Sequence, residues 1–144
     1  MEQQARTPDD ERPGVRLGLP ADGPGSVSSS GRRAIAFAFD AIASGLVARL
    51  LDPVDAAGAL DLSVGLLPVT VLAVVYLVGL LLVGRTPGMR LLGLRVTRLD
   101  GPGVGFVPAA LRTALLLLLV PAVISDRDGR GLHDRAAGTV VVRG

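Results

Sequence analysis

The sequence predicts an all-α membrane protein with two transmembrane helices, a third short apolar helix that spans or re-enters, and a short β-like segment at the membrane surface. Three observations lead there. Of the 144 residues, 49% are hydrophobic and only 19% are Asp, Glu, Lys or Arg, where soluble domains carry about a quarter. Mean hydropathy is +0.52, although a small soluble domain needs a large polar shell. Finally, the twenty-two residues LSVGLLPVTVLAVVYLVGLLLV (62–83) hold no charge, and that length spans a bilayer.

Residues 1–31 read as a disordered tail, rich in Pro, Gly, Ser and charge, with no sustained apolar period. The tail is too long and too acidic for the n-region of a cleavable signal peptide. A solvated leader is expected, with docking or phosphorylation through the serines between 26 and 30 as the alternative. The first apolar run, AIAFAFDAIASGLVARLL (34–51), has eighteen residues and reaches about 27 Å as a helix. Its eight large apolar side chains favour insertion by roughly 2.5 to 5 kcal/mol, and a central Asp opposes it by about 2.5 to 3.5. Asp40 must therefore face protein or water. A loop with three aspartates and no arginine follows (52–61). The chargeless run comes next, and Pro68 can kink its first third.

From 84 to 108 the character changes. Leu94, Val96 and Leu99 alternate with Arg95, Thr97 and Arg98, which reads as a short strand, and Asp100-Gly101 supplies a turn. The strand's cationic face suits an anionic membrane surface. AALRTALLLLLVPAVIS (109–125) is the third apolar run, broken by Arg112 and Pro121, and TVVV near the end reads as a second strand. Helices are thus expected at about 33–51, 62–83 and 109–125.

Arginine placement sets the orientation. Five arginines precede the first helix, none lies in 52–61 and four lie in 84–108. The positive-inside rule then places the N-terminus in the cytoplasm and the 52–61 loop outside. Arg127, Arg130, Arg135 and Arg143 favour the inside for the C-terminal tail as well. That placement conflicts with a full third crossing. It agrees with pairing of the two short strands, which need each other and must share one side.

Composition excludes several functions. With no cysteine and one histidine, neither a thiolate, a cluster nor a metal site is expected. The glycines between 84 and 105 form no dinucleotide fingerprint, no catalytic constellation appears, and no cofactor is implied. The chain is not expected to be an enzyme. Its fifteen basic residues border apolar runs, and its four aromatics form no stacking platform, so nucleic acid is not an expected partner.

The candidate functional residues are Arg33, Asp40, Arg112, His133 and Asp134. Asp40 shares a helix face with Ala36, Ser44 and Ala48, a small-residue seam that admits another helix closely. It is read either as a proton or cation site, or as a structural carboxylate neutralised by Arg112 or by desolvation. Self-association is expected along this seam. Arg33 lies seven residues from Asp40, about 10.5 Å along the axis, too far for contact. It reads as an interfacial anchor, and Arg85 and Arg90 read as headgroup contacts. His133 beside Asp134 is either a proton-carrying pair or a surface hydrogen-bonding group.

Three blocks in order, RRAIAFAFDAI (32–42), GRTPGMRLLGLRVTRLDG (84–101) and DRDGRGLHDRAAGTVVV (126–142), resemble the RDD family of small bacterial membrane proteins, named for one arginine and two aspartates. The resemblance covers about 32–143 and maps the arginine to Arg33, the first aspartate to Asp40 and the second to Asp134. Met89 stands where the family's Thr-Pro-Gly-Lys segment has its lysine, which weakens any anion-binding role there. The resemblance implies a helical fold in the bacterial inner membrane and transport of unidentified ligands. Two or three helices cannot enclose a pathway, so the expected partners are the lipid bilayer and either further copies of the chain or another membrane protein. The alternative is a non-transporting accessory subunit that binds another membrane protein through the Asp40 seam.

Overall fold

The computed structural model describes residues 12–51, 62–100, 103–118 and 130–144, with only the backbone at 62–65. In chain order these form α1 (Ser30–Leu51), α2 (Leu62–Leu82), α3 (Pro87–Leu91), β1 (Leu94–Arg98), α4 (Phe106–Leu117), α5 (Leu132–Ala136) and β2 (Thr139–Arg143). The protein is mostly helical with one two-stranded sheet. Among the described residues one helix, α1, is long and apolar enough to cross a membrane, and Leu66–Leu82 and Phe106–Leu117 are shorter apolar helices.

Helix α1 buries Ala36, Asp40, Ser44 and Ala48, the small residues at spacing four. Their size lets neighbours come close, but the neighbours are α2 and α3 of the same chain. The expected self-association along this seam is therefore corrected, because the surface is already occupied internally. On α2 the matching inward stripe is Leu72, Tyr76 and Leu80, and Tyr76 meets Phe37 edge-on, with ring centroids 6.3 Å apart. Ile35, Phe39, Ile42, Leu46 and Leu50 point outward from α1.

The third apolar run is helical from Phe106, three residues before the expected start at 109. It turns Ala109, Arg112, Thr113 and Leu116 inward. Residues 119–129, with Pro121 and the choice between spanning and re-entry, lie outside the described residues, as do 52–61 and the first eleven residues.

The two short strands pair antiparallel as expected, with Leu94 opposite Arg143 and Arg98 opposite Thr139. Leu94, Val96 and Val141 face the helices. On the other face Val140 and Val142 pack with Val27 and Leu19. This is the second correction. The stretch 12–31, expected as part of a disordered tail, instead wraps onto the sheet. Val27 bridges Val142, Ser28 N–H donates to the Val141 carbonyl at 2.9 Å, and Arg143 N–H donates to that of Ser26 at 3.0 Å. The reason is apolar burial: Val140 and Val142 need a cover, and Val27 supplies it.

Residues 87–98 and 132–143 repeat one unit. Each is a five-residue helix, one further residue, a left-handed glycine (Gly93, φ 62°; Gly138, φ 63°) and a five-residue strand. Glycine enters that conformation without steric cost. Arg90, Gly93, Val96 and Arg98 match Arg135, Gly138, Val141 and Arg143. The strand register swaps equivalent positions, so a local two-fold perpendicular to the sheet relates the units. One unit packs on α1 and the other on α4.

Candidate functional site

Two buried polar centres sit where these units meet the long helices. The first is built on Asp40, only 1% exposed. Thr86 caps α3 in extended conformation with Pro87 behind it, the residue types that start a helix. The Thr86 hydroxyl accepts from Met89 N–H at 3.3 Å and donates to Asp40 Oδ2 at 2.5 Å. Gly88 N–H donates to Asp40 Oδ1 at 2.7 Å. Both carboxylate oxygens are thus satisfied by the start of α3. Gly88 is required by the approach, since a Cβ there would lie 2.2 Å from the Ala36 carbonyl oxygen. Ser44, one turn from Asp40, keeps a buried hydroxyl without a hydrogen-bond partner.

The second centre is Asp134, on α5 and fully buried. Arg112 from α4 forms an ion pair with its Oδ1, and Arg33 Nη1 from α1 lies 3.4 Å from its Oδ2. His133 Nε2 lies 3.5 Å from the same oxygen. The Thr139 hydroxyl donates to Asp134 Oδ1 at 3.3 Å and accepts from Arg112 Nη1 at 3.3 Å. Arg33 also donates through Nε and Nη2 to the Ser28 carbonyl, at 3.1 and 2.7 Å. One carboxylate thereby ties together α1, α4, α5, β2 and the N-terminal stretch. Such a buried group is held by its partners, and losing one leaves an uncompensated charge. Tyr76 of α2, only 1% exposed, packs in the same core as Ala36, Met89 and Leu94.

Four of the five expected residues, Arg33, Arg112, His133 and Asp134, therefore converge, and Asp40 stands apart. Some of these expectations need correction. Arg112 does not neutralise Asp40, because its guanidinium reaches Asp134 from α4. Arg33, partly exposed, is held by the Ser28 carbonyl and by Asp134. His133 is a buried neighbour of Asp134, not a surface group. Sequence reasoning missed Thr86 and Gly88 as partners of Asp40, and Ser28 and Thr139 as partners of the arginines. The Thr-Pro-Gly start of α3 was the available signal, since a capped helix start presents amide donors.

A model of the RDD family matches residues 27–138. No curated protein and no solved structure matches the chain.

Proposed function

The chain belongs to the RDD family, and from that premise we propose that it is an integral, multi-pass protein of the bacterial cell membrane that handles an ion or small charged solute and catalyses no reaction. The observation that carries this reading is the ionic centre in which the buried Arg112, His133 and Asp134 meet the partly exposed Arg33 in an apolar helical body. Ionisable groups at such depth are costly and are kept where they act on charge. The α1 helix, apolar and long enough to span, supports membrane residence.

The orientation we propose has the N-terminus in the cytoplasm, on the arginine counts given above. The C-terminus joins it there. Residues 25–28 hydrogen-bond to β2 and β2 pairs with β1, which supports placing all three on one face of the membrane. Because so few helices cannot line a pathway, ion handling requires further copies or another membrane protein. Reconstitution into vesicles carrying a pH-sensitive dye and an imposed pH gradient tests the reading. Dissipation of the gradient that is lost in Asp134→Asn at equal incorporation and with an unchanged circular dichroism spectrum supports it, and equal leak from wild-type and empty vesicles contradicts it.

A second reading, an accessory subunit, is favoured by Asp40, whose two oxygens are both consumed within the chain. Under that reading the protein is inert alone and co-purifies with a larger membrane partner after gentle extraction.

A further inference from the structure

The repeated units have the same inside-out pattern. In α3, Gly88 and Met89 are buried, and Pro87, Arg90 and Leu91 are exposed. In α5, His133 and Asp134 are buried, and Leu132, Arg135 and Ala136 are exposed. Each short helix thus turns one arginine outward beside an exposed leucine, Leu91 at 69% and Leu132 at 38%. Among the described residues neither Arg90 nor Arg95, in the first unit, nor Arg135 in the second makes an ion pair. Residues 84–99 hold four arginines and no carboxylate.

The local two-fold has a physical consequence. It runs perpendicular to the sheet, so a sheet lying along the membrane surface puts both helices at one depth. Arg90 and Arg135 then stand at the same height on either side, Arg90 followed directly by Leu91 and Arg135 one turn after Leu132, which takes the place of Pro87. An apolar side chain beside a guanidinium matches the boundary between acyl chains and phosphates, where arginine keeps its charge in the headgroup layer.

We propose that Arg90 and Arg135 form a paired contact for the headgroups of anionic phospholipids in the cytoplasmic leaflet. The leucines enter the acyl region, and the two lipids bracket the sheet. This rests on the membrane reading above. The contact explains why each unit, held inside through a buried carboxylate, ends outside in a guanidinium without an ion pair among the described residues, and charge complementarity selects phosphatidylglycerol over phosphatidylcholine.

The experiment is native mass spectrometry of the full chain in detergent, with phosphatidylglycerol and phosphatidylcholine at equal concentration. Phosphatidylglycerol adducts should dominate. The double variant Arg90→Gln, Arg135→Gln should bind that lipid about thirty-fold more weakly, roughly five-fold per arginine. Arg49→Gln, at the far end of α1, should leave the preference unchanged. A double variant that keeps the preference overturns the proposal, and so does displacement of the lipid by inorganic phosphate at the same concentration, which marks a free-anion site. Alkaline carbonate extraction of membranes separates the two levels. A protein retained in the pellet without lipid preference sinks this inference alone, whereas release to the supernatant sinks the membrane reading as well.

Discussion

Gly88→Ala should destabilise the protein far more than an alanine at an ordinary glycine. The new Cβ would sit 2.2 Å from the Ala36 carbonyl oxygen and 3.0 Å from the Asp40 carboxylate carbon. Backbone lies on one side and a buried carboxylate on the other, so no flexible side chain can yield. Clearing the clash means withdrawing α3 by about 1 Å, which stretches the 2.7 Å Gly88–Asp40 hydrogen bond beyond bonding range. Overpacking costs about 1–3 kcal/mol, and a lost hydrogen bond to a charged group about 1.5–3, so the sum is roughly 3–6 kcal/mol. Gly45→Ala is the matched control, since a Cβ there meets nothing within 4 Å. Inside a helix that change should stabilise by about 0.5–1 kcal/mol. Denaturant unfolding in micelles, followed by circular dichroism, measures both. If Gly88→Ala unfolds within about 0.5 kcal/mol of wild type, α3 does not sit on α1 as described.

Replacing Asp40 separates geometry from charge. Asp40→Asn can still accept from Gly88 and meet Thr86, so it should fold with a loss of about 1–2 kcal/mol. Asp40→Ala strands two buried donors and should cost about twice that by the same unfolding assay. For the other centre, Asp134→Asn leaves the Arg112 guanidinium buried without its ion-pair partner and should cost about 3–5 kcal/mol. Adding Arg112→Met should recover part of that loss, and an additive double variant would show that the two side chains are not coupled.

Much of the scaffold was legible because apolar runs and small-residue spacing are strong signals. The inward face of α1 follows directly from Ala36, Ser44 and Ala48, and the two strands from alternation at 94–98 and from TVVV. What covers those surfaces is a tertiary matter. Nothing local distinguishes a seam that meets a second molecule from one that meets α2 and α3. The same holds for Arg112, whose partner was set by the fold of residues 132–143 back onto α4. The N-terminal stretch misled because its composition is that of a solvated leader. Val27 docks there because Val140 and Val142 would otherwise leave an apolar sheet face uncovered. The repeat was readable in principle as Arg90, Gly93 and Arg98 against Arg135, Gly138 and Arg143, spaced identically.

The proposed topology requires the N-terminal stretch, β1 and β2 to form one body on one side of the membrane. The chain has no cysteine, so a pair introduced as Val27→Cys and Val142→Cys, the residues of the strand bridge, reports that geometry without background. In oxidised membranes the pair should form an intramolecular disulfide in high yield, and each single cysteine should resist an impermeant maleimide added from outside. Absence of the cross-link, or outside labelling of Cys at 142 with protection at 27, would contradict it.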